Sequence, residues 1–263
     1  MFFLMNHPML KRKLRGDPPD QLGNPTQEQV VAAIEAGSLQ EAKDLARYMI
    51  PEGKALHDLF CDWIWDLFTQ VGREYGDEAV YRLCRASQET WMMRRTWKAF
   101  RKLPVEEQVL LTAEIMRSHR CGSKQDGQLK VIEDRERYSI IMDPCGSGGR
   151  MRRGDPVDGT PSRLGPPYNF GVTRQAYNWS WGQDQVPYYC IHCAINEILP
   201  IEWGGYPLWV TEYNPDHQAP CAWHFYKNPA MIPDIYFTRL GFNVNFSEEG
   251  VCPIRSWGLS NPV

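Results

Sequence analysis

Apolar residues in the first half of the chain recur at the spacing of a helix. Between residues 54 and 71 they fall at three- and four-residue steps, at Leu56, Leu59, Phe60, Trp63, Ile64, Leu67, Phe68 and Val71. This period predicts an amphipathic helix. Another helix is predicted over 39–50 and is expected to end at Pro51, because proline lacks a backbone donor and disfavours a helical residue before it.

Two further helices are predicted over 77–102 and 105–119, separated by Pro104. Residues 1–25 are basic at first and then rich in Pro, Asp and Gly. We expect them to form a flexible arm. The arm is therefore followed by a helical region over 26–120.

After residue 120 the pattern changes to short β-type runs. Residues 128–132 and 138–142 flank a charged turn, and 208–213 and 222–226 flank a polar one, so each pair predicts an antiparallel hairpin. The fold class predicted from this order is α+β, with a helical layer followed by a domain that contains an antiparallel sheet.

Two other segments of this second domain, over 121–263, bear on function. Residues 189–199 are expected to form a short helix that opens with a C-x-x-C pair. The stretch 151–185 is polar, aromatic and long for a connection, which is typical of functional or disordered segments. Its aromatic residues favour a lid or the wall of a pocket.

The net charge and the distribution of apolar residues limit the kinds of partner and the location that we expect. The 263 residues carry a net charge of −3 and have a pI near 6.1, which argues against nucleic acid, since phosphate binding needs a basic face. No apolar run has the length of a membrane span, and the order of apolar and basic residues at the start is the reverse of a signal peptide. We expect a cytoplasmic protein with a small-molecule partner and no membrane partner; a homo-oligomer is compatible with this composition.

Cysteine and histidine cluster in Cys190-Ile191-His192-Cys193 and in Cys221-Ala222-Trp223-His224. Two such pairs have the spacing of a closed tetrahedral zinc site. The predicted zinc ligands are Cys190, Cys193, Cys221 and His224.

The fourth ligand depends on local structure. If residues 221–224 are fully extended, Cys221 and His224 point to opposite faces, and Cys145, His192 or Glu197 becomes the fourth ligand. An iron–sulfur cluster is an alternative cofactor. A redox dithiol is a further alternative for the C-x-x-C pair.

A glycine-rich loop provides a second candidate site. In Asp143-Pro-Cys-Gly-Ser-Gly-Gly-Arg150, free backbone N–H groups and arginines favour binding of a carboxylate or phosphate. The expected substrate-binding residues are Gly146, Ser147, Gly148, Gly149 and Arg150, together with Trp181 from the long polar stretch. Cys145 is a candidate nucleophile, because N–H donors and arginines favour its thiolate. An ordinary glycine turn is the alternative.

A third candidate is the polar pair His57 and Asp58 within the apolar helix over 54–71. The pair could line a pocket and act as acid or base, or have a structural role at the helix. His7, His119 and His217 are expected at the surface.

The order of glycine-rich loop, cysteine-bearing helix and cysteine-led strand resembles the family named for L-2-amino-thiazoline-4-carboxylic acid hydrolase. It is more distantly similar to zinc-containing 4-vinyl-reductase-type domains. The resemblance implies an α+β domain with an apolar small-molecule cavity beside a structural or catalytic metal. It also implies that Cys190, Cys193 and Cys221 are ligands.

These observations predict a metal-associated hydrolase or lyase that acts on a small carboxylate-bearing molecule, cyclic or aromatic in character. The alternative is a non-catalytic sensor or binding protein with the same cavity and a structural zinc.

Overall fold

A computed structural model describes residues 4–9, 12–157 and 159–243 of the chain. The end of the predicted 121–263 region, including Cys252, lies outside the described residues. Helices and an antiparallel sheet make up the described fold, so the α+β class is confirmed.

Helices dominate the first half of the chain. They are α1 (Thr26–Glu35), α2 (Leu39–Tyr75), α3 (Asp77–Gln88), a π-helix (Glu89–Trp97), α4 (Lys98–Phe100) and α5 (Val105–Arg117). Two short strands, β1 (Leu4–His7) and β2 (Arg12–Arg15), pair antiparallel within the segment predicted as an arm.

The second half contains a four-stranded antiparallel sheet in the order β3-β4-β6-β5. Its strands are β3 (Lys130–Glu133), β4 (Arg137–Met142), β5 (Val210–Glu212) and β6 (Cys221–Tyr226). The helices of this half are α6 (Gly148–Arg153), α7 (Ile191–Gly204) and α8 (Ile235–Thr238). Both predicted hairpins are confirmed, as β3–β4 and β5–β6.

The predicted break at Pro51 is wrong, because α2 continues through it as one helix of 37 residues. The predicted helix over 77–102 contains a π-helical segment of nine residues, in which each turn is wider than in an α-helix. Neither feature changes the helical character of this layer.

The apolar stripe of α2 faces outward along much of its length. Leu56, Leu59 and Trp63 are about 60% exposed, at 59%, 61% and 64%. The buried face instead carries polar and aromatic residues, among them Asp58, Trp65 and Thr69. These residues bond to the long 151–185 segment: Trp65 Nε1 donates to the Gly171 carbonyl at 2.8 Å and Thr69 Oγ1 accepts from the Gly171 N–H at 2.8 Å.

The main core surrounds α7, which is buried along most of its length. A second core lies between α5 and one face of the sheet, where Phe225, Ile140 and Met142 are buried. In the described part of the chain, no helix is both long enough and apolar enough to span a membrane.

Candidate functional site

A cavity of about 390 Å³ lies between the helical layer and the sheet. Its wall comes from the π-helix, α4, α5, α6, α7 and strands β4, β5 and β6. The lining is mostly apolar, with Met92, Trp97, Phe100, Leu111, Ile115, Met116, Met142, Trp181, Trp209 and Trp223. Its volume and apolar character fit a small organic ligand. Leu111 and Ile115 are 44% and 61% exposed, which places the mouth at α5.

A larger surface cleft, of about 510 Å³, lies beside residues 154–162. It includes only Arg150 among the predicted site residues, whereas the smaller cavity collects most of them. We therefore take the 390 Å³ cavity as the candidate site.

Four cysteines line this cavity: Cys145, Cys190, Cys193 and Cys221. Cys190 and Cys193 lie at the start of α7, and Cys221 begins β6. The pairing of Met142 with Cys221 brings the end of β4, and hence Cys145, next to β6. The fold thus brings together three of the predicted zinc ligands and two of the alternatives for the fourth, Cys145 and His192.

His224 lies apart from these cysteines. Because β6 is extended, His224 is on the opposite face from Cys221. Its Nδ1 is 2.9 Å from the Ser139 hydroxyl, and the side chain borders a different, smaller pocket. The set Cys190, Cys193, Cys221 and His224 is therefore not assembled around one point.

Three of the cavity thiols favour their neutral form. Burial raises the pKa of Cys190, Cys193 and Cys221, in the last case to about 11, and the charges of neighbouring thiolates act in the same direction. Within the described ranges, no group of three His, Cys, Asp or Glu side chains is arranged as metal ligands. The donor types suit zinc, but the side chains do not stand at ligand geometry.

The glycines of the Cys145 loop allow close approach of other groups. A Cβ on Gly146 would overlap the His119 carbonyl, and one on Gly148 would overlap the Cys190 thiol. The N–H of Gly149 donates to Cys145 Sγ at 2.9 Å. The loop then continues into α6 and keeps Cys145, Ser147 and Arg152 on the cavity wall.

Arg150, predicted to bind substrate, is committed to two aspartates and to the Gly146 carbonyl, to which its Nε donates at 2.9 Å. Its Nη1 lies 3.0 Å from Asp155 and 3.1 Å from Asp58, and Nη2 donates to Asp58. Lys54 joins the same network at 2.7 Å from Asp58 and 3.0 Å from Asp155. This buried cluster joins α2 to α6, so the role of Arg150 in the structure is to hold these helices together.

His57 and Asp58 form one end of a continuous hydrogen-bonded chain. His57 Nδ1 is 3.0 Å from Asp58 Oδ1, and His57 Nε2 is 3.4 Å from His119 Nδ1. His119 Nε2 is 2.7 Å from Ser147 Oγ. Because both His119 and Ser147 line the cavity, the chain runs from a buried carboxylate to the cavity wall.

The groups of this hydrogen-bonded chain differ in the charge state that they favour. Burial alone would raise the pKa of Asp58, but hydrogen bonds from His57 and Arg150 outweigh it and hold that pKa far below its usual range. Burial, with the charges of His57, His192 and Arg150, lowers the pKa of His119 to about 3. At neutral pH the chain therefore ends in an ionised Asp58 and contains a neutral His119.

The expected surface position of His119 is wrong. The residue follows α5 and is held against the Cys145 loop, where its carbonyl meets Gly146 and its ring meets Ser147. A lone histidine at a helix end gives no signal of such a contact in the sequence. Gly146 is the sequence feature that reflects this contact, because a side chain at this position would overlap the His119 carbonyl.

Arg152 lines the cavity, and the sequence grouped it with Arg150 and Arg153 as arginines that favour binding of a carboxylate or phosphate. It is 3% exposed, and its Nη1 donates to Tyr213 at 2.7 Å. The thiol of Cys221 lies 3.9 Å from its Nη2. In the described parts of the chain, no carboxylate forms an ion pair with it, in contrast to Arg150.

Several polar atoms of cavity-lining residues are buried without a hydrogen-bond partner in the described structure: Arg152 Nε, Trp97 Nε1, Trp209 Nε1, Asn196 Oδ1 and Thr211 Oγ1. The guanidinium and indole nitrogens can only donate. Leaving such groups unpaired is costly, at about 1–3 kcal/mol each.

Trp181, predicted to bind substrate, lines the cavity. Its ring stacks on Tyr213 at 4.9 Å, and its Nε1 donates to buried Glu197 at 2.7 Å. Glu197 also accepts from Arg239 at 3.0 Å, so this carboxylate is committed to its own pairing.

Comparison of the chain with protein-family models, with curated proteins and with solved structures finds no match. The resemblance to the L-2-amino-thiazoline-4-carboxylic acid hydrolase family therefore stays a prediction.

Proposed function

We propose that this protein is a hydrolase or lyase that acts on a small carboxylate-bearing molecule, cyclic or aromatic in character, bound in the 390 Å³ cavity. The observation that carries the proposal is the buried guanidinium of Arg152, which has no acidic partner in the described parts of the chain and lies on the wall of an otherwise apolar cavity. Apolar walls favour a hydrocarbon or ring, and donor-only nitrogens favour acceptor oxygens.

Arg152 is the residue that we assign to the carboxylate. A planar guanidinium binds a carboxylate through charge-assisted hydrogen bonds, which are stronger than neutral ones. Its burial without an acidic partner makes an anionic ligand the natural complement, because a buried charge needs a counter-charge.

His57 and Asp58 are proposed to take part in proton transfer through His119. This role is supported by the hydrogen-bonded chain that ends at the cavity wall. It differs from direct contact with substrate, because His119, and not His57, lines the cavity.

Zinc is proposed at the four cavity cysteines, Cys145, Cys190, Cys193 and Cys221, with Cys145 in place of His224. Their common position on one wall supports this set, and the start of α7 would then be the metal-bound C-x-x-C helix. The side chains would have to rotate to bind the metal, since the thiols are not at ligand geometry. Metal analysis of reduced protein should give about one zinc per chain. Iron with sulfide would indicate a cluster instead, and no metal would remove both cofactors.

A second copy of the chain is proposed as a partner, bound through the outward apolar stripe of α2. Its large exposed side chains are Leu56, Leu59, Phe60, Trp63, Ile64 and Leu67. Half-exposed side chains of this size add up to roughly 500 Å², a patch size that often marks an interaction site. A two-fold arrangement would place the stripe against its own copy.

Calorimetric titration tests the ligand assignment. Benzoate and its neutral analogue benzamide are titrated into wild-type protein, Arg152→Gln and Arg101→Gln. Arg101 is a matched control, because it is a half-buried arginine that bonds to backbone carbonyls outside the cavity. We expect Arg152→Gln alone to weaken benzoate binding by about tenfold or more, the loss of one charge-assisted contact, without a change for benzamide. Equal affinity for the two ligands in the wild type would contradict the proposal.

Turnover separates an enzyme from a binding protein. The mono-4-nitrophenyl ester of terephthalic acid carries a free carboxylate that cannot reach its own ester carbonyl, and it reports hydrolysis by release of nitrophenolate. After subtraction of the rate without protein, hydrolysis faster than that of neutral 4-nitrophenyl benzoate supports the enzyme. Carboxylate binding without turnover of any such ester would favour the alternative, a non-catalytic small-molecule binding protein.

A further inference from the structure

The hydrogen bonds among Ser147, His119, His57 and Asp58 have a consistent direction. A carboxylate can only accept, so Asp58 accepts from His57 Nδ1–H, over 3.0 Å. His57 Nε2 is then the acceptor for His119 Nδ1–H, over 3.4 Å. This leaves His119 Nε2 as the acceptor for the Ser147 hydroxyl, at 2.7 Å. Each imidazole needs only one proton in this arrangement, so both rings can be neutral.

We propose that Ser147 is a nucleophile of this site, activated by His119 as its base, with His57 and Asp58 as positioning residues behind it. The inference rests on the proposed hydrolase function and identifies the residue that attacks. It is the logic of a serine, base and carboxylate triad, with one additional histidine between base and acid.

The second histidine of the chain, His57, provides a favourable position for the positive charge. His119 is buried beside Arg150, and a positive charge that stayed on its ring would be unfavourable there. A proton accepted at Nε2 of His119 allows its Nδ1 proton to pass to His57 Nε2. The charge then rests on His57, directly beside the ionised carboxylate of Asp58, where Coulombic attraction stabilises it.

Asp58 is well suited to remain ionised during this step. Arg150 and Lys54 contact the same carboxylate, at 3.1 Å for Arg150 Nη1 and 2.7 Å for Lys54. Asp155 balances these cations from the other side. The cluster that holds α2 to α6 therefore also fixes the carboxylate that orients His57.

Ser147 is placed where a bound substrate could reach it. It lines the cavity together with Cys145, Gly148 and Arg152. Ser147 is the N-cap residue of α6 and Arg152 lies within α6, so the nucleophile and the cation proposed to hold the carboxylate are five residues apart at one short helix.

The step on a carboxylate-bearing ester balances without another reactant. Ser147 Oγ bonds to the carbonyl carbon, its proton moves to His119 Nε2, and the bond from that carbon to the leaving oxygen breaks. His119 returns the proton to the leaving oxygen. Water then hydrolyses the acyl-serine by the same route and restores the hydroxyl.

A small fluorophosphonate with short alkyl groups tests the nucleophile independently of the natural substrate. Ser147 Oγ forms a bond to phosphorus, the phosphorus–fluorine bond breaks, fluoride leaves and the proton passes to His119. We expect one adduct per chain by intact mass, located at Ser147 by peptide mapping. Ser147→Ala and His119→Gln should lose it, with retention of fold checked by circular dichroism.

Ser139 offers a matched control, because it also contacts a histidine, His224, at 2.9 Å, but lies outside the cavity. Ser139→Ala should label at the wild-type rate. Absence of any adduct on folded wild-type protein, or an adduct mapped to another residue, would overturn the proposal. The mapping is made on wild-type protein, so it decides the matter even if a variant fails to fold.

The pH profile of labelling tests the positioning role of His57. In His57→Gln the proton of His119 Nδ1 can no longer pass to a ring beside Asp58. The labelling rate should then rise in proportion to hydroxide concentration, about tenfold per pH unit. The wild-type labelling rate should be independent of pH near neutrality. An unchanged profile would remove His57 from the relay. Labelling at Ser147 without binding of benzoate would contradict the proposed substrate class but leave Ser147 as the nucleophile. Binding of benzoate without labelling at Ser147 would contradict the nucleophile but leave the substrate class.

Discussion

His119 shows how one residue can depend on the whole fold. The segment after α5 places its ring against Ser147 and His57, among charged groups that include Arg150. Burial and these neighbours hold its pKa near 3, compared with about 6.5 in an unfolded chain. The folded protein therefore favours neutral His119 at any pH between these values.

This shift predicts an acid-sensitive stability. Between pH 6.5 and pH 3 the unfolded state binds a proton at His119 that the folded state does not, so the free energy of unfolding should fall as the pH falls through this window. Asp58 adds to the loss only below its unfolded pKa, near 3.9. Urea unfolding of wild-type protein and His119→Asn over this range measures the effect.

His224 serves as the comparison, since burial also lowers its pKa, to about 4. His224→Asn should reduce the slope only above that value, whereas His119→Asn should reduce it over the whole range down to pH 3. If the His119 variant keeps the wild-type slope, the residue is not held neutral by the fold.

At the scale of elements, α2 shows what periodicity can and cannot predict. The apolar steps between Leu56 and Val71 correctly predict a helix, but they do not identify its buried face. Arg150 and Arg163 pair with Asp58 and Asp62 on the opposite side, so the polar face turns inward. These partners lie about a hundred residues away, and local pattern carries no information on such pairs.

The continuation of α2 through Pro51 leads to a stability prediction. Proline inside a helix removes a hydrogen bond and crowds the preceding turn, at a cost of about 3 kcal/mol or more in the helix itself. Pro51→Ala should therefore raise the free energy of unfolding, by about 1–3 kcal/mol once the added freedom of the unfolded chain is included. Pro104→Ala, at the N-cap of α5, is the control and should give no such gain. A loss of stability in Pro51→Ala would contradict this explanation.

The predicted zinc ligands Cys221 and His224 depended on the local structure of the strand that carries them. Sequence spacing alone could place both residues at one metal. The extended geometry of β6 separates them, and the pairing of β6 with β4 brings Cys145 close to Cys221 instead. The four cysteines of the cavity could be named from sequence as ligands or alternatives, but their convergence required the tertiary fold.

At the scale of the whole molecule, the outward stripe of α2 predicts self-association. Leu59 and Trp63 are 61% and 64% exposed. We expect analytical ultracentrifugation to find a dimer, and Leu59→Glu with Trp63→Glu to give a folded monomer, because charges in an apolar interface oppose association. Met9→Glu, at an 85% exposed position outside the stripe, should remain dimeric. A monomeric wild type at micromolar concentration would exclude this partner.

The molecule as a whole places its reactive groups at the junction of its two halves. The helical layer supplies His57 and His119, and the sheet half supplies Ser147, Arg152 and the cysteines. The sequence predicted the α+β class, named the four cysteines of the cavity and grouped Arg152 with the arginines of an expected anion site. It did not predict the role of His119, because this residue belongs to no recognisable local motif.

The central claim is that the cavity binds a carboxylate-bearing molecule through Arg152. A crystal structure of the protein with benzoate tests it most directly. We expect the carboxylate within hydrogen-bond distance of the Arg152 guanidinium and the ring among Trp97, Trp209 and the other apolar residues of the wall. Benzoate bound only at other sites, or in the cavity with its carboxylate turned away from Arg152, would contradict the account.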